Sequence, residues 1–531
     1  MGSATSAATD PGCFDPWIGA CPTAPRQVAP MSGSRLEAPV ELEWENPVNV
    51  SSVQLEICSD RACVNPLVDT IVTGESYQLT ADFGQVYWRV GYVWGRNQNV
   101  RSPFWLLDTS NGVRPPSLDV NGDHLADVVV GDDDLQAAYL FLGQAGGIGN
   151  APSATIVPTV ATANFGLEVA DAGDVNGDGY RDLIVAAPAS LSPIQQPVVF
   201  VYLGSASGAL ALDSTLSRPT ASAFGLSAIS VGDMDGDGFG DVAIGSPAYG
   251  ALKIGRVEVF RGGPTGLAAA PTLVLDGAGD AEDNFGVSLG LADVNGDGEP
   301  DLVVGEVNAS YAALGVAPGR VHVFHGDGSA FAAVPSTTLA CPDGDNVGFG
   351  FDVSTAGDRD SDGFEDIVVA AFGYATVDGR AYVFPGGPAG VGSTPLQVLD
   401  PPTSGVNGYF GFAVDGGDDP NRDGIPDIIV GETDALSTAG RAHVFYGATR
   451  GPGTRHTLPN PVRVSNAYFG QAVSMPGDLD GDQVDDLVVG APGGSGAMYA
   501  FDGVNGGLVS TVPSAVATGA GNGRFGIALT R

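Results

Sequence analysis

Lysine is almost absent: the 531-residue chain has one, Lys253, and its 22 basic residues face 62 acidic ones, for a formal net charge of −40 at pH 7. A surface so anionic repels nucleic acid and anionic lipid and favours cations, so no nucleic-acid partner is expected. Long apolar runs are missing as well. None nears the ~20 residues that span a bilayer, so no membrane insertion is expected. The first thirty residues lack the ~7–15-residue apolar stretch of a secretory signal, so export would use a signal already removed or lying outside this sequence. What the chain has in quantity is glycine, 79, and proline, 37, set between short β-branched apolar runs. That pattern reads as all-β.

Cysteine is scarce too. Cys58 and Cys63 bracket "SDRA" between two strand-like runs, a spacing suited to a bridge across a hairpin; Cys13 and Cys21 are similarly close, and Cys341 stands alone. Two disulfides are expected, Cys13–Cys21 and Cys58–Cys63, each closing a short loop and contributing about 2 kcal/mol. The competing readings are five free thiols in a reducing compartment, or a metal site, which no CxxC and no nearby histidine supports. The state of Cys341 is left open.

All five tryptophans (Trp17, Trp44, Trp88, Trp94, Trp105) fall before residue 106. The segment "DTSNGVRPPS" reads as a join. We therefore divide the chain into an N-terminal segment 1–23, a small β-sandwich 24–108, a linker 109–117 and a repeat region 118–531. "VELEWENP", "SVQLEICSD", "QVYWRVGYVW" and "SPFWLLD" alternate as short strands. Through Trp44 in an early strand and "YWRV" in a late one, this part resembles a fibronectin type III or immunoglobulin-like module.

From residue 119 a nine-residue pattern, D-x-[DN]-x-D-x-x-x-D, recurs seven times at spacings of 55, 59, 60, 65, 61 and 59 residues. Such a period means a propeller or an array. The candidate metal ligands are Asp119, Asn121, Asp123 and Asp127 in the first loop, and Asp174, Asn176, Asp178, Tyr180 and Asp182 in the second. The third offers Asp233, Asp235, Asp237, Phe239 and Asp241; the fourth offers Asp293, Asn295, Asp297, Glu299 and Asp301. The fifth has Asp358, Asp360, Asp362, Phe364 and Asp366, and the sixth Asp419, Asn421, Asp423, Ile425 and Asp427. The seventh closes the set with Asp478, Asp480, Asp482, Val484 and Asp486. Positions 1, 3, 5 and 9 offer side-chain oxygens and position 7 a backbone carbonyl, the donor set a hard cation such as Ca²⁺ takes.

An EF-hand would place a bidentate Glu at position 12, but Val185, Ile244, Val304 and Val369 stand there, so each loop runs into a buried strand. Acidic turns without metal are the bland alternative; three or four carboxylates a few ångströms apart would then repel strongly. Gly occupies position 6 in five loops, His124 and Gln483 in the first and last, so the occupancy of those two is left open. The expected cofactor is structural Ca²⁺, up to seven ions; these loops hold 24 of the 62 acidic residues at ligand positions, and seven ions would bring the formal charge to −26.

A second motif keeps step. Phe-Gly occurs at Phe165, Phe224, Phe285, Phe349, Phe410, Phe469 and Phe525, nearly always nine residues before a loop. After each loop comes an apolar strand ending in a small-residue turn ("VAAP", "IGSP", "VGAP"), then a third strand such as "GRVEVF". Phe-Gly, acidic loop and Gly-Ala-Pro together resemble the FG-GAP repeat, the blade unit of the integrin α-subunit head. The resemblance implies a seven-bladed β-propeller with calcium loops on one face. It departs locally where the turn becomes "GEVN", "AAFG" and "GETD" in repeats four to six. The first loop lacks a preceding Phe-Gly and Phe525 lacks a following loop, so the two balance only when the C-terminal strand completes the first blade.

Enzyme signals are thin. "GVSLG" matches GxSxG around Ser288, but it precedes an acidic loop rather than a helix, and Glu168, Ser227, Asp352, Ala413 and Ala472 hold the same position in other repeats. His322 and His443 share a strand position with Glu258 and Tyr382 and read as strand surface. Arg256, Arg320, Arg380 and Arg441 recur as expected blade-to-blade ion pairs. Recognition sits on loops; by resemblance to integrin heads, the loops carrying Tyr249, Tyr311, Phe372 and Tyr374 are the candidate ligand face, with local packing as the alternative. The expectation is a secreted or cell-surface calcium-stabilised adhesion protein binding a protein or glycan ligand. The alternatives are a carbohydrate-active or other hydrolytic enzyme, which a deep central pocket lined by carboxylates outside the loops would favour, or a structural subunit of a surface assembly.

Overall fold

A computed structural model describes residues 118–531 apart from 161, 189–195, 219–221, 278–282, 308–318, 345–347, 374–377, 403–407, 435–438, 448–452 and 520–522; before them it describes 26–29, 34–35, 40–46, 52–58, 67–74, 76–79, 85–94, 98–101 and 105–108. Cys13, Cys21, Cys63, Tyr311, Tyr374 and the side chain of Cys58 lie outside the described residues. The chain forms two compact units, Met1–Gly112 and Val113–Arg531.

In the first unit a three-stranded sheet and a larger sheet face one another. Leu42, Trp44 and Leu79 from one and Val53, Leu55, Ile57, Trp88 and Val90 from the other form a single core. The alternating sequence pattern produces this directly, since successive side chains of a strand point to opposite faces.

The second unit is a succession of seven antiparallel sheets, I to VII, among the described residues. Sheet I has three strands, Val128–Asp132, Ala137–Phe141 and Ala154–Ile156. Sheet II has four: Glu168–Gly173, Asp182–Ala187, Val198–Leu203 and Ala211–Ser217. Sheets III to VII repeat the four-stranded order over 228–276, 285–340, 349–399, 410–459 and 473–518. The second strand of each of sheets II to VII is wholly buried, whereas the fourth strand of sheet II keeps only Leu216 inside. Burial on both faces explains why the second strands read as unbroken apolar runs. Leu183 and Val185 pack on sheet I, while Ile184 and Ala186 pack on sheet III. Corresponding cores join III to IV, IV to V, V to VI and VI to VII. A last core joins VII back to I through Val488, Met498, Val128 and Phe141. The repeated sheets are consistent with a β-propeller. Among the described residues no helix is long and apolar enough to cross a membrane.

The two motifs meet at the sheet interfaces. Each Phe-Gly glycine has φ between +80° and +90°, a conformation that glycine adopts without strain. The second-strand glycine of the preceding sheet lies against it: a Cβ on Gly245 would stand 2.2 Å from the Gly286 carbonyl, one on Gly305 2.1 Å from that of Gly350, and one on Gly490 2.1 Å from that of Gly526. Within its own sheet the Phe-Gly glycine donates to the second-strand glycine, as in Gly225 N to Gly245 O at 2.9 Å, and Gly526 N reaches Gly131 O in the same way at 3.0 Å. Leu529 bridges Val130, and Thr530 Oγ accepts from Val129 N at 3.1 Å. The 525–530 segment is therefore the inner strand of sheet I.

Candidate metal centres and a central cavity

In sheets II to VII the acidic loop joins the first strand to the second, and in sheet I it leads into Val128–Asp132, the strand beside the 525–530 segment. In the second loop Asp174 accepts from Asp178 N at 3.0 Å and Gly179 N at 2.8 Å, Asn176 Oδ1 from Asp178 N at 3.0 Å, and Asp178 Oδ1 from Tyr180 N at 3.1 Å. These local bonds curl positions 1, 3 and 5 inward over one centre. Position 9 behaves differently. Asp127, Asp182, Asp241, Asp301, Asp366 and Asp427 are fully buried. Their Oδ1 atoms accept from the glycine that ends the third strand, for instance Gly204 N to Asp182 at 2.9 Å. Their Oδ2 atoms accept from position 2, as Val175 N does at 2.8 Å. The aspartate at position 9 thus also works as a strut tying the loop to the third strand. The sixth loop has Pro420 at position 2, which has no N–H, and there Asp427 Oδ2 is buried without a partner.

The oxygens converge. Three groups each bring one carboxylate oxygen per residue within 4.8 Å of one another: Asp233, Asp235 and Asp237; Asp358, Asp360 and Asp362; Asp478, Asp480 and Asp486. Asp235 Oδ1 is another buried oxygen without a partner, and Arg261 pairs with the other oxygen of Asp235. Burial, with the carboxylates of positions 1 and 5 adding to it against opposing backbone hydrogen bonds, pushes Asp182 and Asp241 up to about 7 and Asp301 up to about 8; burial, with Asp480 and Asp502 adding to it, pushes Asp486 up to about 8. An oxygen-only set of crowded carboxylates with orphaned atoms fits a hard divalent cation.

The first and last loops keep this geometry despite their substituted position 6. His124 N donates to Asp119 Oδ2 at 2.9 Å and Gln483 N to Asp478 Oδ2 at 2.8 Å, as Gly179 N does to Asp174. Both residues are left-handed, with φ of 67° and 68°, at a cost of about 1–2 kcal/mol each relative to glycine, part of which the freer unfolded glycine offsets. His124→Gly and Gln483→Gly are each expected to raise stability by roughly 0.5–1 kcal/mol in saturating calcium, read as the shift of the thermal midpoint. A fall would show that the side chains themselves are engaged.

The two described aromatic candidates, Tyr249 and Phe372, make local contacts. Arg256 lies 3.9 Å from the Tyr249 ring centre while pairing with Asp276 at 2.6 Å. Phe372 contacts Phe351 at 4.5 Å and Phe412 at 5.9 Å between ring centres. Three of the arginine pairs run within sheets, Arg256–Asp276 at 2.6 Å, Arg320–Glu306 at 3.0 Å and Arg441–Glu432 at 3.0 Å, whereas Arg380 pairs both with Asp400, just past the last strand of its own sheet, and with Asp343 in the segment that leads from sheet IV to sheet V. His443 is not strand surface. It is wholly buried, with Nε2 2.8 Å from Glu432 and Nδ1 3.0 Å from Thr457 Oγ1. His322 repeats the arrangement with Glu306 and Thr338. Here the altered turns explain themselves, because the Glu of "GEVN" and of "GETD" is the partner of a histidine and an arginine on the next strand.

The first strands surround a cavity of about 300 Å³. Ser227 Oγ donates to Gly286 O at 2.9 Å, Ser288 Oγ to Gly350 O at 2.9 Å and Ser474 Oγ to Thr530 O at 2.6 Å. Asp352 and Asp415 accept from Val414 N and Met475 N of the following sheets at 2.9 Å. Ser288 is thus part of an inter-sheet belt, bonded to a backbone carbonyl. The pocket with carboxylates that would favour a hydrolase is present, through Glu168 and Asp352, and among the described residues its lining holds no histidine, cysteine or tyrosine.

Seven Phe-Gly pairs, seven acidic loops and sheets that pack in a circle describe a repeat protein, and parts of the chain are similar to FG-GAP repeats and to integrin α-subunits. An FG-GAP-like repeat model matches residues 119–185 and 174–244, and the FG-GAP repeat model matches 285–324. Over 164 residues the chain is 37% identical to integrin alpha-V of Gallus gallus, covering 29% of this chain and 16% of that protein; over 168 residues it is 37% identical to integrin alpha-7 of Homo sapiens, covering 31% and 14%. The chain thus spans about a sixth of the length of the curated relatives it matches. A solved structure described as the Dos1 propeller is similar over 76% of this chain and 86% of that one, at 13% identity and a TM-score of 0.39.

Proposed function

We propose that the protein is a calcium-stabilised, secreted or cell-surface binding protein that recognises a protein or glycan ligand through the loops of a seven-bladed propeller. The observation that carries this reading is the combination of seven acidic loops, three of which bring three carboxylate oxygens within 4.8 Å of one another, with integrin-α-like repeats, on a unit whose first and seventh sheets share a core. Positions 1, 3, 5 and 9 of each loop would hold the ion with the carbonyl of position 7; the ion supplies the positive charge that those carboxylates otherwise lack. A sandwich resembling fibronectin type III over 24–108, joined through 109–117, and the bridges Cys13–Cys21 and Cys58–Cys63 belong to the same reading. The candidate ligand face includes Tyr249, Tyr311, Phe372 and Tyr374.

The test is a binding screen of the full chain against glycans and matrix or cell-surface proteins, in millimolar calcium and in chelator. Calcium-dependent capture of one class supports the reading; silence across the panel, with calcium still raising the melting temperature, sinks recognition and leaves a structural role. A second reading, a hydrolytic enzyme, is favoured by the cavity alone. Burial pushes Glu168 up to about 8, against the pull of Arg531, as suits a proton donor. Turnover of chromogenic glycosides or esters that Glu168→Gln abolishes would establish it.

A further inference from the structure

The cavity enclosed by the first strands is layered. The residue after each Phe-Gly forms a half-exposed collar: Leu167, Leu226, Val287, Phe351, Phe412 and Ile527, with Gln471 as its one polar member. Phe351 and Phe412 lie 5.2 Å apart between ring centres. One residue deeper the lining turns polar, with Glu168, Ser227, Ser288 and Asp352. Arg531 enters this level, its Nη1 2.8 Å from Asp352 Oδ1 and 3.1 Å from Val414 O. Asp415 lies within electrostatic reach of the same guanidinium. Three acidic groups, Asp352 in contact and Asp415 and Glu168 within electrostatic reach, therefore lie near one cation. Arg531 keeps 40% of its side chain accessible, so a solute can reach this level.

We infer that this cavity binds a small primary alkylammonium ligand of the aliphatic-diamine class, its ammonium beside the Glu168 and Asp352 carboxylates and its methylenes within the apolar collar. The layering selects this chemistry. A sugar would set hydroxyls against leucine, isoleucine and valine; an anion would meet a net negative floor. An alkyl stem with a cationic tip matches both layers, and the Phe351–Phe412 pair adds an aromatic face of the kind that attracts cations. The site is independent of the adhesion reading and of the acidic loops.

The test is calorimetric titration of the full chain, in saturating calcium so that the loops do not compete, with 1,5-diaminopentane and, as controls, 1-pentanol and pentanoate. Saturable binding of the diamine alone is expected. Glu168→Gln is expected to weaken it at least tenfold, about 1.4 kcal/mol. Val287→Trp, which fills the collar from a half-exposed position, is expected to abolish it, and it decides alone should the Glu168 variant not fold. Absence of saturable binding, binding undiminished in either folded variant, or equal binding of 1-pentanol overturns the proposal.

Discussion

Removing calcium is expected to lower the melting temperature of the Val113–Arg531 unit more than any single substitution does. A site with free ion at ten times its dissociation constant gains about 1.4 kcal/mol. Seven such gains rival the roughly 5–15 kcal/mol that stabilises an ordinary domain. The loops' hydrogen bonds do not replace the ion, because they fix the backbone while leaving positions 1, 5 and 9 mutually repulsive. Melting curves in millimolar calcium, in chelator, and in chelator with magnesium would show it; an unchanged midpoint in chelator would mean that the loops stand on hydrogen bonds alone.

The pH dependence separates the two states. Without metal, burial first and neighbouring carboxylates second raise the position-9 groups from their ordinary 3.8 to about 7 or 8. The native state then holds protons that the unfolded state has released, so metal-free stability is fully present below about pH 4 and is lost as pH rises towards 8. With calcium bound the native carboxylates stay ionised, as the unfolded ones are well above 3.8, so stability is nearly level from about pH 6 to 8 and is lost only as pH falls towards 4. Melting series between pH 6 and 8 are expected to fall with rising pH in chelator and to stay nearly level in calcium.

Much of the repeat architecture was legible because a 60-residue period forces the same chemistry onto each sheet. Phe-Gly, the acidic loop and the doubly buried second strand are local signals, and each is a short motif at constant offset. What was not legible depends on neighbouring sheets. The Gly305 Cα proton faces the Gly350 carbonyl of the next sheet, and Ser288 bonds that same carbonyl; nothing in "GVSLG" shows it. For Arg320 and Arg441 the sequence expectation of ion pairs between blades gave way to pairs within sheets, because they face Glu306 and Glu432 across adjacent strands. One signal was available. Only the fourth and sixth repeats carry Glu in place of the Ala of Gly-Ala-Pro, and only they carry His at the third-strand position. Aligning the repeats against one another pairs Glu306 with His322 and Glu432 with His443. The cavity, by contrast, is formed jointly by residues from seven repeats, none of them unusual alone.

Phe525→Ala is expected to be the most damaging single truncation of the ring. Phe525 is 2% exposed and lies in the core shared by sheets VII and I, its ring centre 5.3 Å from that of Tyr139 and 6.2 Å from that of Phe141. Emptying such a site costs about 3–5 kcal/mol. The same truncation at Phe285 empties a comparable site, but there the Phe-Gly strand is held to its own sheet by a short connection. Phe525 heads a strand whose partners lie about four hundred residues earlier, Thr530 Oγ meeting Val129 N across a separation of 401. Bringing such distant segments together carries the largest loop-closure entropy in the unit, so the first step of unfolding in the variant is release of 525–531 and exposure of the VII–I core. Limited proteolysis is expected to cleave Phe525→Ala first within the C-terminal segment 525–531 and Phe285→Ala without that preference, while both lower the melting midpoint. Equal protection of the C-terminal segment in the two variants would show that ring closure does not depend on this strand.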